Sequence, residues 1–521
     1  MSVHKEQKPP VPEPRIFKRI LIANRGEIAV RVIRACRDLG IESVAIFSEA
    51  DRAALHVRQA DFAVPVGPSP AAQSYLVTER IIEAAKSSGA DAVHPGYGFF
   101  SENAGFARAV ERAGLCWIGP PPDAIEKMGD KVEARKLMAK AGVPVVPGSP
   151  GTLETEAEVR ALAKQIGYPI MVKAAAGGGG KGLRLVQNET ELASVVRAVA
   201  SEAKSSFGDG RFYVEKFVNR PRHIEIQVFA DQHGSTVHLC ERECSIQRRH
   251  QKVAEESPST FVTPAMRRKM GDVAVKAAKA VKYVGAGTIE FLVDADRNFY
   301  FLEMNTRIQV EHPVTEMVTG FDLVRTQIEV AAGAPLPFRQ QDIAQNGWAI
   351  ECRIYAEDPA NGFAPAPGRI TALRFPDGPG VRNDAGVYEG AEVPVFYDPI
   401  ISKLAVWGRD RSEAIDRMRR ALAEFIIAGD LTTNLDFHRW LMNHPRFVAG
   451  DFDTGFIGQE FKPDAQPAAA DNVRMAAIFA AAAAEQQSTN HRGAPGASPD
   501  APRAARANPW KMLGRLDVLR R

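Results

Sequence analysis

Three stretches of this sequence carry side chains whose types and spacing suit chemistry on phosphate and on a small oxyanion. The first reads Tyr168-Pro-Ile-Met-Val-Lys173-Ala-Ala-Ala-Gly177-Gly178-Gly179-Gly180-Lys181-Gly182. A short apolar run, read as a buried strand over residues 169–174, leads into the glycines. Glycines can adopt positive φ and turn successive backbone N–H groups toward one point, an anion nest. Lys173 and Lys181 add positive charge on either side. Most glycine runs are plain flexible loops, but four in a row bracketed by lysines after a strand favour a phosphate cradle. Neither a G-x-x-x-x-G-K-[ST] loop nor a dinucleotide fingerprint fits.

The second stretch is a pair of strands. Gly285-Ala-Gly-Thr-Ile-Glu290-Phe-Leu-Val-Asp294 and Asn298-Phe-Tyr-Phe-Leu-Glu303-Met-Asn305 flank a turn, so a hairpin is expected. Side chains alternate with period two, which puts Glu303 and Asn305 on one face and lets Glu290 meet Glu303 across the pair. Two carboxylates and an amide oxygen converging in otherwise apolar strands call for a cation, and oxygen ligands beside phosphate point to Mg²⁺ or Mn²⁺. A solvent-facing polar stripe is the competing reading. In the third stretch, Thr306-Arg307-Ile308-Gln309-Val310-Glu311-His312-Pro313, an extended chain would point Arg307, Gln309 and Glu311 the same way. Arginine and amide beside a carboxylate form a seat for a small oxyanion plus a base. Ser245-Ile-Gln-Arg-Arg-His250-Gln-Lys252 supplies further cations; alone it would read as a solvated face.

The elements that must position these groups read as α/β. Residues 19–23 form a short buried strand, and a helix is expected over 26–39 because Ile28, Val32 and Cys36 recur at four-residue steps, with Gly40 ending it. Residues 43–47 form the next strand, and others end at His94 and Ile118. Strand, helix and strand in such short order imply a parallel sheet with helices on its faces. His223-Ile224-Glu225-Ile226-Gln227-Val228 alternates strictly, which predicts one buried and one polar face. A helix is expected from Lys131 to Ala141.

At 521 residues, three or four domains are expected. A net charge of +3, from 66 basic and 63 acidic residues, gives no footprint for nucleic acid. The longest strongly apolar run, residues 475–484, is mostly alanine and about half the length of a membrane helix. The first fifteen residues hold four prolines and no apolar segment, so no secretory signal is expected. Five scattered cysteines suit a reduced, cytoplasmic protein.

These motifs together are identified as those of the biotin carboxylase family, within the ATP-grasp superfamily. The resemblance rests on Ile22-Ala-Asn-Arg-Gly-Glu-Ile-Ala29, His94-Pro-Gly-Tyr-Gly-Phe99 and the 177–182 glycine loop. It rests also on Glu243-Cys-Ser-Ile-Gln-Arg-Arg-His-Gln-Lys252, the run from Glu303 through Glu316, and Glu351-Cys-Arg353-Ile-Tyr-Ala-Glu-Asp358. It covers about residues 17–461. It implies a Rossmann-like parallel-sheet domain over 16–130 after a flexible tail at 1–15. An ATP-grasp domain over 131–346 follows, with a mobile lid at about 131–207. A mixed α+β domain over 347–462 is followed by an Ala/Pro-rich linker at 463–509 and a docking segment at 510–521.

The activity implied is ATP-dependent carboxylation of biotin with bicarbonate through carboxyphosphate, a ligase reaction and the first half-reaction of an acyl-CoA carboxylase. By the same resemblance, Lys131, Lys173 and the loop of Gly177, Gly178, Gly179, Gly180, Lys181 and Gly182 hold or cover ATP phosphates. Glu215 and Lys216 resemble the hinge at adenine, with His223 and His250 as further nucleotide contacts. Glu290, Glu303 and Asn305 match the metal site. Lys252, Arg307, Gln309 and the Val310 backbone match the bicarbonate seat, Glu311 the general base and Arg353 the cation that stabilises the biotin enolate. Pyruvate-type members usually read Glu-Val-Asn-Pro-Arg where this chain has Glu303-Met-Asn-Thr-Arg307, which favours acyl-CoA systems.

A biotin-bearing turn needs Met-Lys-Met in a domain of its own. Pro509-Trp510-Lys511-Met512 lacks both, so biotin is expected on a separate carrier protein, with a carboxyltransferase subunit as the other partner. Arg34, Asp38 and Arg382 match the family's dimer contact, where Pro379 replaces a usual aromatic; a homodimer is expected. The acyl-CoA acceptor is not written in this chain. Two other readings compete: a different ATP-grasp ligase that joins a carboxylate to an amine, and a catalytically dead scaffold. The oxyanion seat with Arg353 argues against the first, and the intact Glu290, Glu303, Lys252 and Glu311 against the second.

Overall fold

A computed structural model describes residues 14–174, 182–207 and 210–463. The expected tail through residue 13, the glycine loop from 175 to 181, the linker beyond 463, and the terminal segment with Lys511 lie outside the described residues.

The first sheet follows from short apolar runs, buried except at the edge strand Phe62–Gly67. β1 (Arg19–Ile22), β2 (Glu42–Ser48), β3 (Phe62–Gly67), β4 (Ala92–His94) and β5 (Cys116–Trp117) pair in parallel in the order β3-β2-β1-β4-β5. Ile20, Leu21 and Ile22 are wholly buried, as strands covered on both faces require. The helix Gly26–Asp38 buries Ile28, Val32 and Cys36, the positions that predicted it.

A small antiparallel sheet, order β7-β6-β8, holds β6 (Ile170–Ala174), β7 (Leu183–Val186) and β8 (Phe212–Lys216). The glycine stretch joins β6 to β7 in sequence. Where the described chain resumes, Gly182 has φ +71°, and a Cβ there would stand 2.8 Å from Ala174 Cβ. Both the left-handed backbone and the close approach demand glycine.

The largest sheet is antiparallel and has eight strands. It comprises β9 (Arg222–Ala230), β10 (Thr236–Arg248), β11 (Gln251–Ser257), β12 (Gly285–Val293), β13 (Phe299–Asn305), β14 (Trp348–Tyr355) and two later strands. Short pairs intervene in the chain: β15 (Glu357–Asp358) with β16 (Ala364–Pro365), and β17 (Ile370–Arg374) with β20 (Ile426–Gly429). β18 (Val381–Ala385) and β19 (Ile400–Gly408) complete the sheet in the order β13-β12-β9-β10-β11-β14-β19-β18. One sheet thus runs across residues 346 and 347.

β9 departs from the expected polar face. All nine of its residues are buried. β9 lies inside the sheet between β12 and β10, and Ile224, Ile226 and Val228 pack with Met266, Met270 and Val273 of the helix Pro264–Ala280. The opposite face is covered too, by charged groups that satisfy one another. Among the described residues no helix is long and apolar enough to cross a membrane, and the five cysteines are free.

Candidate active site

Register builds the site. Glu303 on β13 stands opposite Glu290 on β12, Glu290 opposite Glu225 on β9, and Glu225 opposite Arg242 on β10. Further along the sheet Glu255 on β11 faces Glu351 on β14, and Arg353 faces Lys403 on β19. Strands about 4.8 Å apart stack such groups into a ladder on one face.

Lys252 is the hub. Its Nζ donates to Glu225 Oε2 at 2.6 Å, Glu290 Oε1 at 2.8 Å and Glu311 Oε1 at 2.5 Å. The other Glu311 oxygen accepts from Arg353 Nη2 at 3.0 Å. Burial pushes the Glu311 carboxyl up, but Lys252, then Arg353 and Arg242, outweigh it and hold it well below the usual range. Glu311 is therefore an ionised acceptor. Glu290 is likewise held low against burial by Lys252 and His223, whose Nε2 lies 2.9 Å from Glu290 Oε2.

Glu303 behaves oppositely. Burial and then the Glu290 charge push it up, with Lys131 only partly offsetting them. Two facing carboxylates, one raised by the other, fit a divalent cation between them, since oxygen donors and a charge deficit are what Mg²⁺ requires. Among the described residues two buried groups have donor atoms close enough for an ion, His223 with Glu225 and Glu290, and Glu225 with Cys244 and Glu311. There the Lys252 ammonium already sits among the carboxylates. Asn305 gives its amide N–H to Glu290 at 2.8 Å and accepts from Arg307 at 2.9 Å. Its oxygen is thus turned to Arg307, away from the carboxylate pair.

A cavity of about 1220 Å³ opens over this ladder. Its lining joins Lys173, Glu215, Lys216, His223, His250 and Lys252 to Glu290, Glu303, Asn305, Arg307, Gln309, Val310 and Arg353. Lys173 Nζ pairs with Glu215 Oε2 at 2.5 Å, and Arg135 takes the other Glu215 oxygen. Lys216 is tied by its ammonium to the Gly167 and Tyr168 carbonyls at 3.0 and 2.8 Å. Burial, then Lys173 and His223, lowers the His250 pKa and keeps the ring neutral. Lys131 begins the helix Lys131–Lys140 outside the lining, though its charge is felt at Glu303 and His250.

The segment carrying Arg307, Gln309 and Glu311 is not extended throughout. It turns at Val310, and Glu311 is the N-cap of the helix His312–Thr319, which Pro313 opens. Proline suits a first helical turn because its missing N–H would be unpaired there anyway. The turn brings Gln309 and Glu311 together: the Gln309 amide nitrogen, with its oxygen 2.7 Å from Asn305 Nδ2, lies 3.3 Å from both Glu311 oxygens. Arg307 is fixed by Glu102, Nε to Oε2 at 2.9 Å. The Val310 carbonyl accepts from Lys403 Nζ at 3.0 Å.

Sequence reasoning missed Glu225, Arg242, Glu255 and Lys403. Glu225 sits in the alternating run that defined β9. The others come from strands whose partners lie far away in the chain. Wholly buried Arg242 donates to Glu225, to Gln227 at 2.7 Å, to Thr315 at 2.8 Å and to Thr288 at 3.1 Å. Arg242→Met should therefore destabilise the fold by about 3–5 kcal/mol, because it strands buried acceptors and a carboxylate. Chemical denaturation checks this; a loss under about 1 kcal/mol would show that the network is not structural.

The chain matches known families along most of its length. Residues 16–125 match the family described as biotin carboxylase, N-terminal domain. Residues 130–339 match the carbamoyl-phosphate synthase L chain, ATP binding domain, and 351–459 the biotin carboxylase C-terminal domain. The chain is 54% identical over 443 residues to biotin carboxylase 1 of Bacillus subtilis, covering 85% of this chain and 98% of that one. It is 51% identical over 489 residues to the propionyl-CoA carboxylase alpha chain of Ruegeria pomeroyi, covering 90% and 72%. Among solved structures, the biotin carboxylase domain dimer of Hydrogenobacter thermophilus 2-oxoglutarate carboxylase, in complex with MgADP, ADP and bicarbonate, superposes with a TM-score of 0.81. It is 48% identical and covers 85% of this chain and 98% of that one.

Proposed function

Because this chain belongs to the biotin carboxylase family, we propose that its ladder of charged residues carboxylates biotin held on a separate carrier protein, as the first half-reaction of an acyl-CoA carboxylase. It is an ATP-dependent ligase that uses bicarbonate. The observation that carries the residue roles is Lys252, bound to Glu225, Glu290 and Glu311 at once, with Arg353 on the far oxygen of Glu311.

Lys131, Lys173 and the 177–182 loop hold the ATP phosphates, and Glu215, Lys216, His223 and His250 the rest of the nucleotide. Glu290 and Glu303, with Asn305 beside them, would hold Mg²⁺ or Mn²⁺, which when bound offsets phosphate charge. Lys252, Arg307, Gln309 and the Val310 N–H seat bicarbonate. As bicarbonate draws the Lys252 ammonium toward itself, Glu311 loses part of the pairing that keeps it a weak base and can take the bicarbonate proton. The freed oxygen attacks the γ-phosphorus, ADP departs, and carboxyphosphate forms. It then breaks to CO₂ and phosphate. Phosphate removes the ureido N–H proton of biotin, the nitrogen attacks CO₂, and Arg353 offsets the charge that builds on the ureido oxygen.

The acyl-CoA assignment rests on Met304 and Thr306 and on likeness to a propionyl-CoA carboxylase chain, while the Hydrogenobacter relative is a 2-oxoglutarate carboxylase. Co-purification with the carboxyltransferase subunit decides between them. Free cysteines support a reducing, cytoplasmic setting. A homodimer is supported by the dimeric relative; Arg382 itself is paired within the chain, at 2.7 Å from both Glu316 and Asp384. The reading is tested by ADP release with and without bicarbonate and free biotin. Bicarbonate-dependent release that biotin accelerates is expected; release dependent on an amine instead would favour another ATP-grasp ligase.

A further inference from the structure

Behind Arg353 lies a second pair of acids that the reaction does not use. Glu255 and Glu351 face each other across β11 and β14, both buried. Glu255 Oε1 accepts from Arg353 Nε at 2.6 Å. Its other oxygen, and both oxygens of Glu351, have no hydrogen-bond partner among the described residues. Buried carboxyls are expected to be paired or protonated, and two side by side cannot both carry charge. The groups around the pair are Arg353 and Cys352 on β14, Lys252 on β11, Cys244 on β10, Lys403 on β19 and Glu311 at its helix.

We infer that Glu255 is the positioning residue of Arg353, and that Glu351 is the neutral, proton-bearing member of the pair that leaves Glu255 free to grip the guanidinium. The inference rests on the reading of Arg353 as the biotin-facing cation. Arg353 has one edge on Glu255 and another on Glu311, so its plane is fixed before biotin arrives. Burial, then the Glu255 charge, raises Glu351 well above the usual carboxylate range. Glu255 rises to about 7, burial working against the pull of Arg353. Glu255 is therefore the first of the two to ionise.

The test measures carboxybiotin formed per ATP cleaved in the full chain, for Glu255→Gln, Glu351→Gln and, as a control, Arg353→Ala. Glu255→Gln should lower that ratio by about 10²-fold, the loss typical of a reacting group displaced by about 1 Å. Equal loss of both activities, or an unchanged ratio, overturns the positioning role. If Arg353→Ala leaves the ratio unchanged, the reading of Arg353 fails instead. For Glu351 the sign is set by proton linkage. The native state binds its proton more tightly than the unfolded chain, so wild-type stability falls as pH rises above the ordinary carboxyl value of 4.5. Glutamine removes that fall. Glu351→Gln should melt higher than wild type at about pH 8, and the gap should shrink toward about pH 5. A lower Tm at both pH values overturns the neutral assignment.

Discussion

Glu290→Gln and Glu303→Gln should each cut ATP cleavage by about 10³-fold, since a divalent cation at the phosphates supplies several kcal/mol of charge stabilisation. The two variants should differ in what they do to the fold. Glu290 also pairs with Lys252 and His223, so its loss takes a partner from each of these buried groups and lowers the Tm. Glu303 is raised by burial and then by its neighbour Glu290, so its neutral isostere relieves both and should leave the metal-free Tm unchanged or higher. Steady-state ADP release at ordinary Mg²⁺, with thermal melts beside it, reads both effects. Near-normal turnover in either variant would remove that carboxylate from the metal site.

The second large effect separates the two chemical steps. Glu311→Ala removes the proposed acceptor of the bicarbonate proton and should lose ATP cleavage and biotin carboxylation together. Arg353→Ala should fail differently. Withdrawing a charge partner used only in the transition state typically costs about 10²–10³ in rate, so carboxybiotin formation should fall by that much. Arg353 touches Glu311 at 3.0 Å, so bicarbonate-dependent ATP cleavage should fall too, but by no more than about tenfold, the scale of one lost ion pair. The variant would hydrolyse ATP without carboxylating biotin. Equal losses in a well-folded protein would place Arg353 at the bicarbonate step. The ion pairs of Arg353 are with Glu255 and Glu311.

Legibility in the sequence followed the range of the interactions. The Glu290–Glu303 pairing was readable because a five-residue turn and period-two alternation fix a hairpin locally. Four strands of the first parallel sheet were readable as short apolar runs; the edge strand β3, largely exposed, was not. What could not be read was order within the eight-stranded sheet. β9 looks half-exposed by alternation, and only its placement between β12 and β10 buries its His223, Glu225 and Gln227 face. Arg242, Glu255 and Lys403 acquire meaning from partners at least 15 residues away. Glu311 had a local signal that was available, the His312-Pro313 step that opens a helix, and it outranks the alternation that suggested an extended run.

The central claim is that this site moves carbon from bicarbonate to biotin at the expense of ATP. Incubation of the full chain with radiolabelled bicarbonate, ATP, Mg²⁺ and free biotin tests it most directly. The account predicts acid-labile label on biotin, none retained on the chain, and none without ATP. Bicarbonate-dependent ATP cleavage with no label on biotin, or label that forms without ATP, would contradict it.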